Sequence, residues 1–206
     1  MGERRYSGLL LDFFGVCTSN MVEAIDLFEL RERMRPGWFL RAWASAEGAD
    51  LYRRLELGEI EQADWNAGFA KLLKVNADGL MERVLLDLLP AQQVLGVVRD
   101  ARRAGIRTAV ISNSLGREPF DPYSPYDLWN LFDAVVLSTD LGQRKPNPAI
   151  FEHTVSLLGV PASECVFADD TEENLPPAEA LGMTVIHALD EHIAAPKMRG
   201  LLGLDS

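Results

Sequence analysis

The apolar positions change rhythm twice along the chain. Leu9, Leu10 and Leu11 form an unbroken apolar run that closes on Asp12, with Gly15 placed where the chain can turn. Such a run is too short for most helices and predicts a buried parallel strand, with Asp12 at its carboxyl end. From 21 to 89 the pattern becomes helical almost throughout. Ala24, Ile25, Leu27, Phe28 and Leu30 supply one apolar face, stopped by Pro36 and Gly37, and further helices are predicted at 38–46, 64–73 and 79–89. No strand is predicted inside this stretch.

After Pro90 the strand–helix alternation returns. The pattern predicts helices at 91–104, 148–158 and 174–181, and strands at 106–112, 134–137, 166–168 and 184–186. A short helix is predicted near Leu128, and a short helix with a frayed end after Glu191. That rhythm requires a mostly parallel α/β sheet covered on both faces. The helical stretch is then an insertion after the first strand.

Three predicted strands end on polar residues: Asp12, then Ser112-Asn113, then Asp169-Asp170. Lys145 lies in a loop just before the 148–158 helix. In a doubly wound sheet these ends share one edge, so groups far apart in sequence converge. Carboxylates suit Mg²⁺, which prefers hard oxygen ligands, and a lysine with a hydroxyl or amide suits a phosphoryl group. One carboxylate is then left to attack phosphorus. Taken singly, each piece has a plainer reading: Asp12 as a turn aspartate, Ser112-Asn113 as a helix cap, Lys145 as a solvated lysine. Asp169-Asp170 is harder to explain away, because two uncompensated carboxylates after a buried strand repel one another.

Composition narrows the choice of partner. The chain has 206 residues, of which 48% are hydrophobic and 25% charged, and its net charge is -11 from 31 acidic and 20 basic residues. That balance disfavours nucleic acid, while a small phosphorylated metabolite can still meet a local basic group. Cys17 and Cys165 are too few for a disulfide scaffold and read as buried residues of a reducing compartment. The MGERRYSG start lacks a signal-peptide core, and no stretch has the length of a membrane span, so a cytoplasmic location is expected. The sequence does not separate a monomer from a homodimer.

The motifs DFFGV, ISNS, RKPNPAIF and FADDTEENL, in that order, resemble those of the haloacid dehalogenase superfamily of hydrolases over essentially the whole chain. In detail, KPNPAIF and ADDTEENLPPAEALGM resemble the phosphatase domain of soluble epoxide hydrolases and acyl-CoA dehydrogenase-like proteins. The resemblance implies a Rossmann-like core at 1–16 and 91–206 with a small helical cap at 17–90. It makes Asp12 the nucleophile, with Mg²⁺ held by Asp12, the Phe14 carbonyl and Asp170, and Asp169 supporting it through the water shell. Ser112 and Lys145 would grip the phosphate and Asn113 shape the phosphate loop, while Asn174 would tie the fourth loop to its helix.

One position departs from that pattern. Phosphatases of the superfamily usually carry a second aspartate two residues after the nucleophile, where it protonates the leaving group; here that residue is Phe14. A phenyl ring does no acid–base chemistry, which is typically worth about 10²–10⁴ in rate. The expectation is a slow phosphatase, or one acting on esters with good leaving groups, unless Glu172, Glu173 or a cap side chain substitutes. Two alternatives stay open: a weak or inactive binding protein on the same fold, and a dehalogenase-type hydrolase, whose relatives also carry an aromatic at this place. Among other candidates, the aromatics Phe120, Tyr123, Tyr126 and Trp129 read as pocket-lining or as packing against the cap or a partner. Trp38, Trp43, Tyr52 and Trp65 read as cap core, Arg53 and Arg54 as helix surface, and His153, His187 and His192 show no ligand spacing.

Overall fold

The computed structural model describes residues 5–204, so the first part of the MGERRYSG stretch and the last two residues of the tail lie outside it. Among the described residues, five strands form one parallel sheet: β1 (Gly8–Asp12), β2 (Arg107–Ser112), β3 (Ala134–Leu137), β4 (Cys165–Asp169) and β5 (Thr184–His187). Their order is β3-β2-β1-β4-β5. The chain builds outward from β1 to one edge, then returns to β1's other side, and functional groups collect at such a reversal. Alternation along β1 explains its burial. Leu9 and Leu11 enter the core on one face of the sheet, and Leu10 the core on the other.

Between β1 and β2 run α1 (Met21–Arg31), α2 (Trp38–Trp43), α3 (Ala46–Glu56), α4 (Gln62–Leu73), α5 (Leu80–Leu85) and α6 (Gln92–Arg103). After β2 come α7 (Leu128–Leu131), α8 (Ser138–Leu141), α9 (Pro148–Leu158), α10 (Leu175–Ala180) and α11 (Glu191–Leu202). Helices α6 and α11 cover the face that receives Leu9 and Leu11, and α9 and α10 the opposite face.

Helices α1 to α5 have a core of their own. Phe28, Phe39, Tyr52, Trp65 and Phe69 pack together there, with the Trp65 and Phe69 rings stacked at 4.8 Å. The segments leading into and out of this insertion run side by side: Thr18 bridges Pro90, and the Ala91 N–H donates to the Cys17 carbonyl at 3.0 Å.

Two expectations need correction. The predicted 38–46 helix is two helices broken at Ala44-Ser45, and Leu51 and Leu55, which carried no helix assignment, belong to the second. The reason is steric: Gly48 of α3 lies so close to α2 that a Cβ would sit 2.0 Å from the Ala42 carbonyl oxygen. The Ser45 hydroxyl then caps α3 by accepting from the Gly48 N–H at 3.1 Å. The tail helix is not short. Its 12-residue α11 buries Ala194, Ala195, Met198 and Leu202 against α6, with Asp190 as its N-cap. No helix among the described residues is long and apolar enough to cross a membrane.

Candidate functional site

Strand register brings the acidic residues together. Leu11 pairs with Ala168, which puts Asp12 level with Asp169, and Asp12 itself pairs with Ile111, one residue before Ser112. The next turn is fixed by Gly15, at φ +83°, where a Cβ would lie 2.3 Å from Asp170 Oδ2. Only glycine permits both the left-handed backbone and that approach. Asp12, Asp169 and Asp170 thus each offer a carboxylate oxygen within 4.8 Å of the others.

Lys145 is the counter-charge. It is 1% exposed, and its ammonium lies 2.6 Å from Asp12 Oδ1 and 2.6 Å from Asp169 Oδ2. Burial alone would lower its pKa, but the two carboxylates outweigh burial and raise it, so it stays charged. The loop that delivers it is held by Asn113, whose side chain accepts from the Lys145 N–H at 2.8 Å and donates to its carbonyl at 3.1 Å.

The three carboxylates are engaged differently. Asp169 is saturated, accepting from Lys145 Nζ, from the Thr171 N–H at 2.9 Å and from Asn174 Nδ2 at 3.0 and 3.1 Å. Asn174 therefore ties the fourth loop to its strand end. Asp12 has Oδ1 committed to Lys145 and to the Phe13 N–H at 2.7 Å, while Oδ2 makes no hydrogen bond among the described residues. Asp170 accepts a long bond from the Thr171 hydroxyl at 3.3 Å. Burial, then the charge of Asp169, push the pKa of both Asp12 and Asp170 upward, with Lys145 opposing. Three carboxylates with one lysine leave an excess of negative charge and free oxygen atoms. That donor set fits a hard divalent cation.

A cavity of about 340 Å³ opens over this edge, lined below by Asp12, Asn113, Lys145, Asp170 and Thr171. Ser112 is not in its wall. Fully buried, Ser112 shares its hydroxyl with the Tyr123 phenol at 3.0 Å, beneath the cavity. Phe14 does line it, with its ring 4.8 Å from Phe13 and 5.9 Å from Tyr123.

For the aromatic residues the structure separates packing from cavity lining. Tyr123 and Tyr126 are buried in the sheet's core, Phe120 packs against the helical insertion, and Trp129 is exposed under Arg117. None of the four lines the cavity. Trp43 and Tyr52 do, together with Glu56 and Arg144. Arg144 Nε sits 2.7 Å from Glu56 Oε2, a charge contact not aligned as a hydrogen bond. Glu172 and Glu173 point to solvent, and Arg53 pairs with Asp50 and Glu59 away from the cavity. Glu56 ends α3, where its carbonyl accepts from the Ser138 hydroxyl of the core. Only the adjacency of Arg144 to Lys145 signalled part of this in the sequence.

A nucleophile-like aspartate at the central strand end, a buried lysine and an acidic pair on one edge of a parallel sheet define a hydrolase site of the α/β class. The chain belongs to the haloacid dehalogenase-like hydrolase family, whose model matches residues 6–182. It is 26% identical over 210 residues to mouse acyl-CoA dehydrogenase family member 10, covering 98% of this chain and 20% of that protein. It is 28% identical over 116 residues to the sesquiterpene phosphatase astK of Aspergillus oryzae, covering 56% of this chain and 59% of that protein. The chain thus spans less than two thirds of either relative. Its fold matches a haloacid dehalogenase family enzyme of Bacteroides thetaiotaomicron solved with magnesium and inorganic phosphate. That match has a TM-score of 0.63 and 19% identity, covering 88% of this chain and 93% of the other.

Proposed function

We propose that the protein is a Mg²⁺-dependent phosphomonoesterase acting on a small phosphorylated metabolite through an aspartyl-phosphate on Asp12. The observation that carries this reading is the asymmetry of Asp12, which lines the cavity: Oδ1 is pinned by Lys145 and the Phe13 N–H, and Oδ2 makes no hydrogen bond among the described residues. In this reading Asp12, Asp170 and the Phe14 carbonyl hold Mg²⁺, and Asp169 positions Lys145 and the metal's water shell. The ion when bound offsets the charge of the acidic cluster and of the phosphoryl oxygens. The catalytic core is 1–16 with 91–206, and the helices within 17–90 act as a cap over it. The metal–phosphate complex of the Bacteroides enzyme and the name of the fungal relative agree with this reading, each as a fact about that protein.

Lys145 and the Asn113 side chain meet the phosphate, while Ser112 braces Tyr123 below. Asp12 Oδ2 attacks phosphorus, and the bond from phosphorus to the leaving oxygen breaks. That oxygen needs a proton which Phe14 cannot give. Of the carboxyl groups in the cavity wall, Glu56 is the one without a metal role. Burial holds its carboxyl above the usual glutamate value, with Arg144 and Lys145 opposing, so it keeps its proton to higher pH than a solvated glutamate. Glu56 gives that proton to the leaving oxygen and afterwards takes one from the water that hydrolyses the aspartyl-phosphate, which restores Asp12. The acidic pair works against the dehalogenase alternative, since a metal-free site lined by Asp12 and Asp170 repels a carboxylate substrate.

Hydrolysis of an activated aryl phosphate tests the reading. Turnover is expected to be strictly Mg²⁺-dependent and absent in Asp12→Asn, and Asp170→Ala is expected to lose most Mg²⁺ affinity in calorimetric titration. Identical behaviour of wild type and Asp12→Asn on aryl and anomeric sugar phosphates at millimolar Mg²⁺ would replace it with the binding-protein alternative.

A further inference from the structure

The cavity's two halves differ in chemistry. Its floor, from the strand ends, is charged. Its roof, from the helical insertion, is apolar: Met21, Val22 and Ile25 of α1, Trp43 of α2 and Tyr52 of α3, continued on the core side by Phe14 and Leu115. The polar residues of the roof are few. Asn20 Oδ1 caps α1 by accepting from the Val22 N–H at 2.7 Å, Glu56 faces Arg144, and Tyr52 is buried among Trp43, Trp65 and Phe69.

Resting on the phosphomonoesterase reading, we propose that the substrate is the monophosphate ester of an apolar alcohol. Its phosphate sits at Asp12 and Lys145, and its hydrocarbon lies against Phe14, Met21, Val22, Ile25, Trp43 and Leu115. A sugar or glycerol phosphate would bring several hydroxyls against Phe14, Met21, Val22, Ile25 and Leu115, which offer them no partner, and each buried unpaired hydroxyl works against binding. A hydrocarbon loses nothing there and removes both its own surface and the roof's from water. The size is compatible, since about 340 Å³ lies within the range of small-molecule sites and well exceeds a phosphate alone. Val22 and Trp43 line the cavity yet remain 43% and 40% exposed. The cavity is therefore open along that edge, and an alcohol longer than the cavity can continue outward past them.

Calorimetric titration of the full chain in millimolar Mg²⁺ with methylphosphonate, octylphosphonate and 3,4-dihydroxybutylphosphonate, the phosphonate counterpart of glycerol 3-phosphate, separates the possibilities, because none of the three has an ester to be hydrolysed. Each methylene buried from water is worth roughly fourfold in affinity, so octylphosphonate is expected to bind at least about a hundredfold tighter than methylphosphonate. Trp43→Ala combined with Val22→Ser is expected to reduce that ratio by about tenfold. If octylphosphonate binds no tighter than methylphosphonate, or 3,4-dihydroxybutylphosphonate outbinds both, the inference is overturned, whatever the aryl phosphate assay gives. If the tail preference holds while aryl phosphate is untouched by the enzyme, the apolar-phosphate site stands and the hydrolytic reading falls.

Discussion

The floor and the roof of the cavity hold their side chains in place by different means. On the floor, Lys145, Asp169, Asn113 and Asn174 are fixed by directed bonds of 2.6 to 3.1 Å, and register between β1 and β4 sets where those bonds begin. In the roof, Tyr52 and Ile25 are placed by packing within a separate small core, and Trp43 by its ring against Tyr52. That core is clamped to the sheet domain at a few polar points. Gln62 donates to the Leu115 and Phe120 carbonyls at 3.0 and 3.1 Å, and Ser138 donates to the Glu56 carbonyl. Directed bonds in a low-dielectric site fix reacting atoms and make charge count. Packing contacts are non-directional, so the roof sorts ligands by shape and polarity. In the proposed reaction the floor carries the chemistry and the roof the selection, with Glu56 as the one roof residue that takes part in proton transfer.

The largest effect expected is at the floor's centre. Asp12→Asn is expected to lower turnover of an aryl phosphate by more than about 10⁴-fold with the fold intact, as judged by circular dichroism. A milder loss would mean that another group attacks phosphorus.

Glu56→Gln breaks the division from the roof's side. It is expected to lower kcat on alkyl phosphates by about 10²–10³-fold and to change aryl phosphate turnover little, because a phenolate needs no proton. The protonated carboxyl is the active form. Wild-type activity on alkyl esters therefore falls as pH rises through the raised Glu56 pKa, and Glu56→Gln lacks that limb. Equal losses on both ester classes would reduce Glu56 to a partner of Arg144.

Stability separates the two regions by its dependence on pH. Lys145→Met strands two buried carboxylates and is expected to cost about 3–5 kcal/mol in denaturant titrations without Mg²⁺. Phe69→Ala in the roof's core is expected to cost a similar amount, about 3–5 kcal/mol, through the cavity it leaves. Asp12 already has a folded-state pKa above its unfolded value, and losing the lysine raises it further. Between those two values the folded state binds more protons than the unfolded, so the Lys145→Met deficit shrinks as pH falls and grows as it rises. The Phe69→Ala deficit should not follow pH. Parallel behaviour of the two variants would show that the floor, too, is held mainly by packing.

The smallest effect serves as a control. Arg53 pairs with Asp50 and Glu59 on the insertion's outer surface. Arg53→Ala is expected to leave the unfolding midpoint and both ester activities unchanged, since exposed pairs contribute little.

The sequence by itself determined the parallel α/β core, the helical insertion and the polar strand ends. A short apolar run closed by a polar residue has few other homes, and a parallel sheet gathers all its carboxyl ends on one edge. For that reason Asp12, Asn113, Lys145, Asp169 and Asp170 were legible although more than a hundred residues separate the first from the last. Tertiary structure alone decided which face of each inserted helix turns inward. Helical periodicity identifies an apolar stripe, but the stripes of α1 to α3 serve both the insertion's own core and the cavity, and only packing divides them. That division put Trp43 and Glu56 in the cavity wall with Asp12 and left Arg53 at the surface. It also buried Tyr123 beneath Ser112, and the Gly48 contact that splits α2 from α3 has no one-dimensional trace, because it depends on how closely two helices approach.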